Sequence, residues 1–119
     1  MSQTSSKSQI TTAPGASVRI LDAEASYGIF LYDTEGNIAL ISDWGEYATS
    51  FRAFGNSFPE FLANTNTEYL VGKLAPRRGK ESRAGNCLRI LIGLFIQHMK
   101  EAEDFDFRLD IEMPRRRNA

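Results

Sequence analysis

This chain is short of the residues on which most small-protein chemistry depends. Its 119 residues include one cysteine, Cys87, and one histidine, His98. A single cysteine excludes an internal disulfide and a multi-cysteine metal site. With a single histidine, a Ser–His–Asp arrangement or a histidine-based metal centre needs other residues to converge on His98. Long apolar runs are missing too. The longest nearly apolar stretch, Ile90–Ile96, falls far below the roughly 20 residues a membrane span requires. The opening residues MSQTSSKSQITTAPGAS contain no apolar segment of the kind a secretory signal needs. Together these absences predict a cytoplasmic protein with no membrane partner and no cofactor.

Neither sign of charge dominates: 14 basic and 15 acidic side chains give a net charge of −1. The two signs are nevertheless segregated. Residues 1–72 carry three basic and eight acidic groups, whereas residues 73–100 carry seven basic groups against Glu81 alone. Residues 101–114 return to six acidic against Arg108, and Arg115–Arg116–Arg117 follow. Such segregation predicts a basic face and an acidic face, which orient a partner without a general attraction to nucleic acid.

With 42% hydrophobic and 24% charged residues, the composition is that of an ordinary globular domain. A chain of this length buries roughly two thirds of the surface its unfolded form exposes. The block Leu40–Leu74 holds the only tryptophan, Trp44, with two of the four tyrosines and four of the eight phenylalanines. That concentration places the core there.

Residues 1–17 are rich in Ser, Thr and Gln and are expected to form a flexible arm, because they bury too little apolar surface to offset the entropy of ordering. Residues 18–113 are expected to form one domain and residues 114–119 a basic tail. Val18–Leu21 reads as the start of a first edge strand. Tyr27–Asp33 is β-rich and leads into Thr34–Glu35–Gly36–Asn37, where Gly36 supplies the left-handed conformation of a hairpin turn. Ile38–Ile41 returns as the partner strand, and Asp43–Trp44–Gly45 makes a second tight turn. Over Glu46–Phe54, Tyr47, Thr49, Phe51 and Ala53 alternate with Glu46, Ala48, Ser50 and Arg52, the period of a strand buried on one face.

Ser57–Phe58–Pro59–Glu60 is a capping box with proline in the first turn, and Asn66–Thr67 begins a second short helix, TEYLVGKL. A long helix is expected over roughly Asn86–Glu103, with Leu88, Leu91, Ile92, Phe95, Met99 and Ala102 on one stripe. Cys87, Ile90, Leu94 and Ile96 widen that stripe, which suits either a central position or a homodimer through this helix. Residues Phe105–Met113 alternate apolar and polar throughout, a pattern that fits a half-buried strand. The expected fold is therefore α+β. An antiparallel β-meander carries two short helices and one long helix on one face, and the C-terminal strand joins the sheet.

Catalytic patterns are absent. Gly79–Lys80 is not a phosphate loop, since position 74 is Leu where glycine is needed and Glu81 follows where Ser or Thr is needed. Asp33, Glu35, Asp43 and Glu46 flank two turns, where turn chemistry accounts for acidic residues without a metal. Cys87, at the start of a helix, suits a small buried apolar role. Trp44, Tyr47 and Phe51 are the residue types that stack bases, but the sheet needs them for its core. What remains is the loop around Arg77, Arg78, Lys80 and Arg83. Together with Arg115, Arg116 and Arg117 it is the candidate partner-binding surface, suited to phosphates or to a carboxylate-rich protein.

The stretch LISDWGEYATSFRAFG, followed by SFPEFL and EYLVGKL, resembles small proteins of phages and prophages over Tyr27–Leu74. The resemblance brings no catalytic residue with it. It implies a non-enzymatic, phage-encoded protein that binds a bacterial host protein or ribonucleoprotein complex stoichiometrically, inside the host cytoplasm. Inhibition of a defence system such as CRISPR-Cas, in the manner of anti-CRISPR proteins, is the role this suggests. The alternative is a nucleic-acid-binding accessory protein that uses loop 77–83 and tail 115–117, with binding that weakens steeply with salt.

Overall fold

A sequence of short β-rich segments joined by two or three turn residues can only fold back on itself, strand beside strand. A computed structural model describes residues 8–102 and shows this arrangement. Strands β1 (Gly15–Asp22), β2 (Ser26–Asp33), β3 (Asn37–Ser42) and β4 (Gly45–Ser50) form an antiparallel sheet in the order β1-β2-β3-β4. Helices α1 (Phe58–Ala63), α2 (Thr67–Leu74) and α3 (Arg83–Glu101) follow. The fold is α+β, as expected. The strand expected over 105–113 and the tail 114–119 lie outside the described residues.

Each turn is held by its own side chains. Asp22 accepts from the N–H groups of Glu24 and Ala25 at 3.0 and 2.9 Å. Asp33 accepts from the N–H of Glu35 at 2.9 Å and of Asn37 at 3.0 Å. Gly36 has φ of 100°, a value that strains any residue with a Cβ. The Phe51 carbonyl also comes so close that a Cβ at Gly36 would lie 2.2 Å from it. Ser42 accepts from the Trp44 N–H at 3.1 Å and donates to the Gly45 carbonyl at 2.9 Å.

Two boundaries in the sheet differ from expectation, for reasons of pairing. β1 starts at Gly15, inside the stretch read as an arm, because β2 extends to Asp33 and offers Gly15 a ladder partner. The Thr34 N–H also donates to the Pro14 carbonyl at 3.1 Å. β4 ends at Ser50 rather than Phe54, because β3 begins at Asn37 and the Asn37–Ser50 pair is the last available. Alternation reports which face is buried; it does not supply a neighbour to bond.

One face of the sheet carries the core. Phe30 stacks on Phe95 with ring centroids 4.2 Å apart and planes 7° from parallel, while Tyr32 meets the same ring edge-on at 6.0 Å. Phe51 packs on Phe58, Phe61 and Tyr69 at 5.7, 5.1 and 6.2 Å. Fully burying one such ring stabilises the fold by about 1.5–3 kcal/mol. The first aromatic group ties α3 to β2, and the second ties α1 and α2 to the end of β4.

Helix starts follow from capping. Ser57 accepts from the Glu60 N–H at 3.3 Å and Asn66 from the Tyr69 N–H at 2.7 Å. α3 begins at Arg83, earlier than periodicity suggests, because Ser82 is its N-cap and accepts from the Gly85 N–H at 2.9 Å. Leu88, Leu91, Ile92, Phe95, Ile96, Met99 and Cys87 of α3 are buried. The domain's own core thus occupies the stripe that also suited pairing between chains, and Leu94 at 40% exposure is the large apolar side chain α3 leaves open.

Candidate functional site: the basic loop between the second and third helices

Between Leu74 and the start of α3 the chain buries one apolar residue, Ala75, which is 3% exposed. The loop is instead shaped by short hydrogen bonds. The Arg78 N–H donates to the Ala75 carbonyl at 3.1 Å, and the Ser82 N–H to the Gly79 carbonyl at 3.3 Å. The Ser82 hydroxyl also donates to the Gly79 carbonyl, at 3.0 Å. This folds the loop onto the first turn of α3 so closely that a Cβ on Gly85 would lie 1.9 Å from the Gly79 oxygen. Glycine at 85 is thus a requirement of packing between two backbones.

Arg89 fastens the loop from below. Its Nη1 donates to the Arg78 and Gly85 carbonyls, both at 3.1 Å. Its other donors grip Glu68 of α2 in a fork, Nε to Oε2 at 2.7 Å and Nη2 to Oε1 at 3.1 Å. The Arg89 hydrogen bond holds the Glu68 carboxyl below its usual range, against a smaller opposing effect of desolvation; the charges of Arg89 and Lys80 add to the lowering. This planar, two-pronged geometry is available to arginine and not to lysine.

From above, the loop meets the β3–β4 turn. Arg78 Nε donates to the Tyr47 hydroxyl at 3.1 Å, and that hydroxyl donates to the Trp44 carbonyl at 2.6 Å. The Arg83 guanidinium lies over the Trp44 ring, 5.7 Å from its centroid. Trp44 Nε1 in turn donates to the Ala25 carbonyl at 2.7 Å, which links the two hairpin turns at that end of the sheet.

Arg77, Arg78, Lys80 and Arg83 therefore share one exposed surface. Arg78 and Arg83 are braced by Tyr47 and Trp44. Arg77 and Lys80 project from the loop without such a brace. Arg115, Arg116 and Arg117 lie outside the described residues. Sequence reasoning missed the structural part of the site: Arg89, Trp44 and Tyr47 shape the loop, yet nothing in their local spacing points at residues 77–83. Lys73 is drawn away from it, over the Tyr69 ring at 5.6 Å.

The other candidate residues are dispersed. Asp33 and Glu35 lie at one end of β3, and Asp43 and Glu46 at the other. Burial would raise the Asp33 carboxyl, but hydrogen bonds from the Asn37 side chain and from the N–H groups of Asn37, Glu35 and Gly36 outweigh it and leave Asp33 below its usual range. Asp43 accepts from the Ser26 hydroxyl. Among the described residues no group of three or more His, Cys, Asp or Glu side chains stands close enough to hold a metal ion. Cys87 is buried with its Sγ 3.9 Å from the Glu24 carbonyl, and His98 is exposed near the end of α3. Among the described residues no helix is long and apolar enough to cross a membrane.

Comparison with known proteins gives one family. No curated protein and no solved structure matches the chain at a significant level. A family model named Phage_phiTE_072, described as a phage family, matches residues 8–111. The match covers the whole sheet, all three helices and the basic loop, so this chain belongs to that phage family.

Proposed function

We propose that this phage protein works by stoichiometric binding rather than catalysis. Its partner would be an acidic surface on a bacterial host protein or ribonucleoprotein complex, met by the loop that carries Arg77, Arg78, Lys80 and Arg83. The observation that carries the reading is the way the loop is built. Arg89 clamps it to α2 and α3, while Tyr47 and Trp44 brace Arg78 and Arg83. Cations held in place before binding lose less conformational freedom on docking than cations on a loose segment. Inhibition of a host defence system such as CRISPR-Cas is the role we assign to such binding, in keeping with a phage-encoded product.

The test is recovery of partners from bacterial lysate by the tagged full chain, with and without nuclease, beside the double variant Arg77→Glu/Lys80→Glu. These two residues are chosen because neither is braced by the sheet, so their reversal leaves the fold intact. A single host complex recovered in stoichiometric amount, resistant to nuclease and lost in the variant, is the expected result. Recovery of many nucleic-acid-binding proteins that disappear on nuclease treatment would transfer the reading to nucleic-acid binding by the same loop. Full recovery by the charge-reversed variant would place the interface elsewhere.

A further inference from the structure

All three helices pack on one face of the sheet, and among the described residues none covers the other. That open face has an ordered chemistry. Cross-strand pairing places Arg19, Ile29, Ile41 and Glu46 in one row across all four strands. The next row runs through Leu31, Ala39 and Ala48. Leu31 stands 39% exposed. Beside it lies an open depression of about 680 Å³, floored by the small residues Ala39 and Ala48 and extending to Gly15 and Ser50. The first row thus carries a cation, Arg19, at one edge and an anion, Glu46, at the other, with apolar residues between them and a projecting leucine next to a hollow.

We propose that this face docks on the same face of a second copy of the chain. A two-fold axis parallel to the strands, between β2 and β3, keeps each row at its own height and reverses its order. Arg19 of one copy then meets Glu46 of the other, twice. Ile29 lies over Ile41, and each Leu31 enters the hollow above the other copy's Ala39. A two-fold axis across the strands instead stacks β1 on β1, which brings like charges together, so the charges select the first arrangement. Aligned sheets pack about 10 Å apart and about 30° from parallel. With strands about 4.8 Å apart, that angle displaces the edge strands by only about 4 Å, within the reach of arginine and glutamate. The face measures roughly 19 by 20 Å in projection, about 400 Å² a side, which falls below the range of stable specific interfaces and suits a weak, transient dimer.

Sedimentation equilibrium of the full chain from about 5 to 500 µM tests this, with circular dichroism as the check on folding. The wild-type chain is expected to pass from monomer to dimer over that range. Leu31→Arg, at an exposed position, is expected to abolish the dimer with the fold retained. Arg19→Glu and Glu46→Arg are each expected to weaken it by about tenfold or more, and the double variant Arg19→Glu/Glu46→Arg to restore it. Leu94→Arg on α3 is expected to leave it unchanged. A monomer throughout the range overturns the proposal, including the case in which residues 103–119 of the same chain cover the face. So does a dimer that survives Leu31→Arg, one that is lost in Leu94→Arg, or a double variant that fails to recover.

Discussion

Arg89 holds Glu68 through two parallel hydrogen bonds, 2.7 and 3.1 Å long, and with a third N–H reaches the backbone carbonyls of Arg78 and Gly85. One guanidinium thus joins α2, α3 and the basic loop. Its side chain is 17% exposed against 51% for Glu68, so solvent screens the ion pair from the glutamate side and the bonds to the loop carry a larger share of what Arg89 does.

Arg89→Lys is therefore expected to resemble Arg89→Ala more than wild type, since an ammonium cannot span both the fork and the carbonyls. Both substitutions are expected to lower Tm by more than Glu68→Gln does, and to speed proteolysis within 77–83. Thermal melts and limited proteolysis of the four chains check the ranking. An Arg89→Lys protein with wild-type Tm and wild-type resistance would show that charge alone holds the loop.

Gly85→Ala and Gly72→Ala are expected to have opposite signs. Both sites are helical, and alanine is the better helix former by about 1 kcal/mol. At Gly72 a Cβ meets open space, so stability should rise by about 0.5–1 kcal/mol; at Gly85 it meets the Gly79 carbonyl, so stability should fall. Urea unfolding of the two variants decides it, and a stabilised Gly85→Ala would mean that the loop yields freely.

Tyr47→Phe removes the hydroxyl shared by Arg78 and Trp44 without altering the ring. A loss of about 0.5–1.5 kcal/mol is expected, with the protein still folded. Trp44 is the sole tryptophan, so its fluorescence reports directly on this corner, and an emission maximum unchanged between wild type and variant would argue against the contact.

Phe95→Ala should be far more severe, costing about 3–5 kcal/mol, because the ring is the shared partner of Phe30 and Tyr32. Against a total stability of about 5–15 kcal/mol for a domain of this kind, that approaches global unfolding. Phe95→Leu should recover a large part of it. Chemical denaturation of both variants gives the comparison.

Acid should weaken the turn that precedes β3. The Asp33 carboxyl ionises below its usual 3.8 in the folded chain, so folding favours the charged form. Its contribution is fully present above the unfolded value and is lost as pH falls through the folded one. The stability gap between wild type and Asp33→Asn is thus expected to be widest near neutral pH and to narrow as pH falls below 3.8. Thermal melts across that range measure it, and a gap that persists in acid would assign the effect to shape rather than charge.

The sequence by itself determined what depends on near neighbours. Alternation along Tyr27–Asp33 and Ile38–Ile41, the turns at Gly36 and Gly45, and the caps Ser57 and Asn66 are all local, and each appears in the structure. The α3 stripe was legible for the same reason, as was the position of Arg77, Arg78, Lys80 and Arg83 in a loop or at its edge. Only the tertiary structure decided where β4 ends, because a ladder needs a partner and β3 supplies none beyond Asn37. It also decided that Arg89, Trp44 and Tyr47 shape the basic loop, since these contacts join residues 11 to 39 apart. And it decided that the helices all gather on one side of the sheet. A strand with apolar residues on both faces does not state which face will be covered; the lengths and directions of the connections do, and those act only once the chain is folded.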